Sequence, residues 1–272
     1  MNAGRPMRPL AEFSVQARSR IAGVLADIDD TITTDGRLTA TAYTALERLQ
    51  AAGIRVIPVT GRAAGWCDHI ARMWPVDAVV GENGAFWKRY ERGARRLSTV
   101  YAGAPAPDRQ QRIDTLAAEI LEAVPGCALA SDQFCRVADL AIDFCEDVDP
   151  LPTTAVDAIV QRMQAAGMRA KISSIHVNGW FGDYDKLSTT RRMLSDEFGI
   201  SLGNEAERQR WVFVGDSPND APMFGFFPNS VGVANVLDFA DRLDARPAWV
   251  TRARAGEGFV ELSEALLVAR KA

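Results

Sequence analysis

The sequence predicts an α/β protein: a parallel sheet with helices on both faces, interrupted by an inserted α+β segment over residues 87–180. Three observations predict it. Short, largely apolar runs at residues 21–28, 54–59, 77–80 and 211–214 have the length and texture of strands buried on both faces. Stretches with helical spacing of apolar residues alternate with these runs, the pattern of a parallel sheet with crossover helices. Between Phe86 and Trp180 that alternation gives way to a hairpin, two further β-like stretches and two helices, so the core is discontinuous, at residues 1–86 and 181–272.

Taken in order, a basic, Gly- and Pro-containing start reads as a loose tail up to Leu10. After the first strand, residues 39–52 place Ala42, Ala45, Leu46 and Leu49 on one helical face, and Gly53 ends the helix. Residues 54–59 form the second strand, 63–73 a helix and 77–80 a third strand. Residues 86–90 and 97–101, around a turn at 91–93, predict an antiparallel hairpin. Pro105 and Pro107 precede a helix at 108–124. Two β-like stretches follow at 136–145 and 168–177, separated by an amphipathic helix at 153–166 with Val156, Ile159, Val160 and Met163 on one face. A helix at 186–198 and a strand at 211–214 resume the core pattern, with strands at 230–233 and 249–251 and helices near Leu237 and at 259–269.

Bulk properties narrow the function. Of 272 residues 47% are hydrophobic and 24% charged, with a formal net charge of −4. The acidic balance argues against a nucleic-acid or anionic-membrane partner. No apolar run approaches the roughly 18–20 residues of a membrane helix, and the basic start lacks the apolar stretch of a secretory signal, so a cytoplasmic location is expected. Cys67, Cys127, Cys135 and Cys145 fit no common zinc spacing and read as reduced thiols.

Ligands of such sheets bind beyond the carboxyl ends of the strands, and polar motifs stand there four times. The first strand runs into Asp27-Ile28-Asp29-Asp30-Thr31, where alternation puts Asp27 and Asp29 on one side of an extended backbone. Carboxylates this close repel unless a cation or shared proton sits between them; a hard ion such as Mg²⁺ suits them, although a helix cap or solvated acidic loop is the simpler alternative. The second strand ends in Thr60-Gly61-Arg62, which offers a hydroxyl and backbone N–H groups to a phosphate or caps a helix. The third ends in Gly81-Glu82-Asn83-Gly84, which turn formation alone explains. The fourth ends in Gly215-Asp216-Ser217-Pro218-Asn219-Asp220, where capping accounts for one acid but not both. Lys186 opens the helix after the insert; alone, it reads as a solvated charge.

In this order the five elements resemble the haloacid dehalogenase superfamily: DxDxT at Asp27 to Thr31, the Thr60 motif, Lys186, and GDxxND at Gly215 to Asp220. The large insert, with TGR at Thr60 and ENGA at Glu82, resembles the subgroup with a C2B-type cap over a Rossmann-like core. That subgroup includes Cof-type, sucrose- and mannosylglycerate-type phosphatases and phosphomannomutases. Asp30 stands where glycine is common, and Leu187 follows the lysine where glycine is frequent. The resemblance implies a phosphatase forming an aspartyl-phosphate on Asp27, with Asp29 as general acid and base. It implies Mg²⁺ held by the Asp27 carboxylate, the Asp29 backbone carbonyl and Asp216, with Asn219 and Asp220 supporting, and Asp220 a further potential ligand. Thr60 and Lys186 would hold the phosphoryl group, with Thr31, Gly61, Arg62, Asn83 and Ser217 around them. The expected partner is a small phosphate ester, with a sugar phosphate preferred; a phosphohexomutase and a non-catalytic binding protein are the alternatives.

Within the insert, His176, Asn178 and Trp180 alternate with small or apolar residues and could present one polar face to a sugar, or to solvent. Lys88, Arg89, Arg92, Arg95 and Arg96 cluster around the hairpin turn, as an anion site or an exposed tip. Trp87 and Trp180 are either stacking rings or hinge packing, and His69 is expected on a helix surface.

Overall fold

The computed structural model describes residues 6–104 and 106–271. The chain runs β1 (Arg8–Pro9), α1 (Val15–Ser19), β2 (Gly23–Ala26), α2 (Ala40–Ala51), β3 (Arg55–Pro58), α3 (Ala64–Met73), β4 (Val79–Gly81), β5 (Phe86–Glu91) and β6 (Arg96–Tyr101). It continues α4 (Arg109–Ala123), β7 (Ala128–Leu129), β8 (Asp139–Asp143), α5 (Thr153–Ala165), β9 (Arg169–Ile172) and β10 (His176–Trp180). The rest is α6 (Lys186–Phe198), α7 (Glu205–Arg208), β11 (Trp211–Gly215), α8 (Ala221–Phe226), β12 (Asn229–Gly232), β13 (Trp249–Val250) and α9 (Ala255–Lys271).

Six parallel strands in the order β1-β13-β12-β11-β2-β3 form the main sheet. Alternation along each strand feeds two apolar layers, as it must when both faces are buried. Val24, Val56, Val212 and Val214 pack with Leu46 and Leu49 of α2 and Phe259, Leu262 and Leu266 of α9. Leu25, Ile57, Trp211 and Phe213 pack on the opposite face with Met193 and Leu194 of α6 and Met223 and Phe224 of α8. A Val59–Val80 bridge continues the sheet into β4, which pairs antiparallel with β5, and β5 with β6.

The four-stranded antiparallel sheet β7-β8-β10-β9 has its own core. Ile113, Leu116 and Ile120 of α4 and Val156, Ile159 and Met163 of α5 cover Leu140, Ile142 and Val177. The helices take one face of this sheet and leave the other to polar residues. This is an α+β segment beside an α/β core.

Three sequence expectations change. Met7 to Leu10 is no loose tail: β1 pairs with β13, Leu10 is buried, and Phe13 stacks on Trp249 at 5.2 Å. The single strand expected at 168–177 is two strands, because Ser173 turns the chain: its hydroxyl accepts the amide protons of Ile175 and His176. The hairpin counted with the insert packs on the main body instead, where Trp87 is buried beside Met193 and donates from its indole to Glu197. The sequence positions 1–5 and Pro105 lie outside the described residues.

Candidate active site

The ends of β2, β3 and β11 meet the polar face of the four-stranded sheet, and the motif residues gather there. Asp27 follows β2, its amide bonded to the Val214 carbonyl across the sheet at 2.9 Å. Asp216 follows β11. Gly215 lets the chain fold back so tightly that a Cβ there would sit 2.2 Å from Asp220 Oδ2, the oxygen that accepts the Asp216 N–H at 3.1 Å. One carboxylate oxygen each of Asp27, Asp216 and Asp220 lies within 4.8 Å of the others, and all three residues are buried.

Lys186 is delivered from the other side of the insert. Asp185 caps α6 by accepting the Ser188 N–H at 2.7 Å, and Ser188 returns a bond to the Asp185 amide. The loop after β4 docks onto this helix start. Gly84, at φ +105°, passes so close to the Asp185 carbonyl that a side chain would collide with it, and Thr189 donates to the Gly84 carbonyl at 2.6 Å. Lys186 Nζ, thus aimed, donates to Asp27 Oδ1 at 2.7 Å and to Asp220 Oδ1 at 2.9 Å.

The charges do not balance. Three buried carboxylates share one ammonium. Burial first, and then repulsion from Asp220 and Asp29 against the pull of Lys186, push Asp27 up to about 8. Burial and the carboxylates of Asp27 and Asp220 likewise raise Asp216. Burial would depress Lys186, but Asp220 and Asp27 outweigh it and raise the ammonium. Excess negative charge on hard oxygen donors is the condition a divalent cation relieves, so the donor set fits Mg²⁺. The cluster contains Asp220 as well as the expected Asp27 and Asp216, while the Asp29 carboxylate turns elsewhere.

Asp29 faces Arg62, whose Nε donates to both its oxygens at 2.9 and 3.1 Å. The same guanidinium donates to Glu146 of the four-stranded sheet's side at 2.7 Å, and Glu146 lies 2.9 Å from His176 Nε2. Burial would raise Glu146, but His176 and Arg62 bring it down to about 2. Thr60 is fully buried and its hydroxyl accepts the Arg62 N–H. Thr31 donates to Asp216 at 3.4 Å, and Ser217 to Asn219 at 3.0 Å. Asn235, absent from the sequence expectations, donates to Asp216 and to the Asp30 carbonyl. Asp30 sits at φ +54°, which accounts for glycine's suitability there.

A second polar knot ties the two bodies together. Glu82 accepts the N–H groups of Ala64 in α3 and of Val137, Ala138 and Asp139 leading into β8. Arg136 donates to the Gly61 carbonyl and to Asp139, and Asn83 and Asn178 both donate to Asp139. Arg136, Asp139 and Glu146 carried no sequence signal, since an isolated charge in a strand-like stretch reads as a solvated face.

His176 and Asn178 line the cleft with Asp27, Asp29, Arg136 and Asn219. Trp180 is buried, stacks on Tyr184 at 6.1 Å and donates to its carbonyl, which is packing at the crossover. The basic hairpin does not join the cleft: Lys88 pairs with Asp68, Arg89 with Glu197 and Arg96 with Glu91. His69 is on the surface of α3, and the four cysteines are free thiols.

Residues 24–98, from β2 into β6, match the family model described as haloacid dehalogenase-like hydrolase. Over these residues the chain is similar to haloacid dehalogenase-like hydrolases. Solved structures share the fold over nearly the whole chain at low identity. The Candida albicans trehalose-6-phosphate phosphatase C-terminal domain superposes with a TM-score of 0.72 at 13% identity, covering 97% of this chain and 99% of that one. A Thermoplasma acidophilum protein gives 0.66 at 18% identity over 90% and 98%. Sucrose-phosphatase from Synechocystis, solved with sucrose and phosphate, gives 0.60 at 15% identity over 90% and 97%. No curated protein sequence matches the chain. Among the described residues no helix is long and apolar enough to cross a membrane.

Proposed function

We propose that this protein is a Mg²⁺-dependent phosphomonoester hydrolase that acts on a small phosphorylated metabolite, with a sugar phosphate as the preferred class. The observation that carries the reading is the buried Asp27–Asp216–Asp220 cluster bridged by Lys186 at the carboxyl ends of β2 and β11. The trehalose-6-phosphate and sucrose phosphatases that share the fold support the choice of substrate class.

In this reading Asp27 attacks phosphorus and carries the phosphoryl group as an acyl phosphate, while the ester oxygen leaves with a proton from Asp29. Asp29 then takes a proton from the water that attacks the acyl phosphate, which frees Asp27 and inorganic phosphate. Arg62 fixes the Asp29 carboxylate through two bonds, so proton transfer occurs from a held position. Lys186 and Thr60 neutralise and orient the phosphoryl oxygens. Mg²⁺, held by Asp27, Asp216, Asp220 and the Asp29 carbonyl, would supply the positive charge that lets a dianion approach these acids. The body formed by α4, α5 and β7 to β10 serves as the cap that excludes water and selects the leaving group. A cytoplasmic location belongs with this reading.

The test is phosphate release from a panel of sugar and other metabolite phosphates, with Mg²⁺ or a chelator, for the native protein and Asp27→Asn. Metal-dependent release that vanishes in the variant is the expected result. Folded, Mg²⁺-loaded protein that releases no phosphate from any of them would overturn the reading.

A further inference from the structure

Two larger spaces adjoin the buried centre, and they differ in charge. One, of about 340 Å³, lies against Asp29, Asp30, Asp35 and Glu146, with Arg62 as its cation. Arg62 is already bonded to Asp29 and Glu146, so Asp30 and Asp35 remain uncompensated. The other, of about 500 Å³, follows the edge of β9 between the cap sheet and the start of α6. Arg169, Lys171 and Lys186 stand on its walls against one acid, Asp185. Lys186 is committed to Asp27 and Asp220, and Arg169 to Asp183 and Asp185. Lys171 is half-buried and, among the described residues, makes no ion pair or hydrogen bond through its side chain.

The place of Lys171 follows from the strand register. It is paired with Asn178 across β9 and β10, so both side chains stand on the polar face of the sheet. Asn178 lines the cleft that holds Asp27, and Lys171 is one strand further out. Asn219 borders both spaces, and Lys186, which bonds Asp27, stands on the groove wall, so the groove adjoins the cleft. Gln164 and Asn83 add amide donors to the same walls.

A phosphate ester carries its charge into whichever space it uses. The acidic space repels it and the β9 groove attracts it, and low-dielectric walls sharpen that difference. The groove also has room for a leaving group, and an ammonium without a partner inside it.

Building on the phosphatase reading, we propose that the β9 groove receives the leaving group and that Lys171 binds a carboxylate on it, so that the favoured substrates are phosphorylated hydroxy acids or sugar acids. One ammonium with amide donors around it matches a singly charged acid group rather than a second phosphate.

The experiment measures binding by calorimetry to Mg²⁺-loaded Asp27→Asn protein, which separates the inference from turnover. The probes are 3-phosphoglycerate and glycerol 3-phosphate, which differ only in a carboxylate against a hydroxymethyl group. The carboxylate probe is expected to bind at least about 10-fold tighter. Lys171→Met should bring that ratio to within about twofold of one, and Lys171→Arg should retain most of it, with melting temperatures showing that both variants fold. Equal affinities, or a ratio that Lys171→Met does not change, would overturn the proposal. So would tighter binding of 1,3-propanediol bisphosphate than of 3-phosphoglycerate, which would assign the groove to a second phosphate. If the ratio holds but the native protein releases no phosphate, the carboxylate site stands and the phosphatase reading fails.

Discussion

Two buried acid clusters lie within one joint of this molecule, and they are finished in opposite ways. Around Glu82 and Asp139, acids meet donors in abundance: four backbone N–H groups on Glu82, and Arg136, Asn83 and Asn178 on Asp139. Around Asp27, Asp216 and Asp220, three acids meet one ammonium and, among the described residues, only three neutral donors, from Thr31, Asn235 and the Asp216 amide. The first cluster is satisfied by the protein itself and fixes how the cap sits on the core. The second is left in electrostatic deficit, which in the proposed reading a cation and a phosphate complete. Burial alone does not separate structure from chemistry here; the balance of donors does.

The largest expected effect breaks the deficient cluster at its proposed nucleophile. Asp27→Asn keeps the shape and removes the attacking oxygen anion, so Mg²⁺-dependent phosphate release should fall by on the order of 10⁴-fold or more. Above about pH 8, where the folded chain ionises Asp27, the same change removes a like charge from a buried trio, so the melting temperature without metal should stay level or rise there. A variant that melts well below the native protein would mean the trio is balanced after all.

The saturated cluster should answer in the opposite sense. Glu82→Ala strands four N–H groups at the joint, three of them on consecutive residues, and should cost about 2–4 kcal/mol in denaturant unfolding. Burial and Asp139 push Glu82 up to about 7, opposed by the N–H donors and Arg136, so Glu82→Gln should be the milder change. A cost below about 1 kcal/mol for Glu82→Ala would remove its claim to hold the joint.

The acid deficit also sets a pH dependence. Asp27 holds its proton up to about 8 in the folded chain and to 3.8 by its ordinary value, and Asp216 moves in the same direction. Between those values the folded state binds more protons than the unfolded state, so metal-free stability falls as pH rises. Melting temperatures in chelator should therefore decline from about pH 4 to pH 8, and Mg²⁺ should flatten the decline. A metal-free stability that rises across this window would place the trio's protons elsewhere.

Much of this was legible in the sequence because the proposed reacting groups stand where buried strands end. Asp27, Thr60 and Asp216 each follow an apolar run, and Lys186 opens a helix whose first turn carries a capping pair. What the sequence hid depends on pairing across distance. Glu146 is an ordinary surface-like acid until the fold brings it 84 residues back to Arg62. The turn at Ser173 hid inside an apparently continuous β-like stretch, because its hydroxyl replaces the glycine or proline that usually marks such a turn. Lys171 gained meaning only from its register with Asn178. The basic hairpin was misleading for the converse reason: acids of α3 and α6 neutralise it from outside its own segment.

Glu146 offers the smallest test of the comparison, because it belongs to neither extreme. It joins the cap to Arg62 and, through that guanidinium, to Asp29, yet its side chain is 24% exposed. With His176 and Arg62 holding it near 2, below the usual 4.5, its contribution is present above pH 4.5 and is lost as pH falls toward 2. Solvent screening limits that contribution to about 1 kcal/mol or less. Glu146→Gln should thus lower unfolding stability slightly at pH 7 and converge with the native protein near pH 2. Because Arg62 keeps both bonds to Asp29, kcat should change less than the KM of substrates that reach the cap. A kcat that collapses while stability is unchanged would instead mean that Glu146 sets the position of Asp29, and that the link to the cap is part of the proton-transfer machinery.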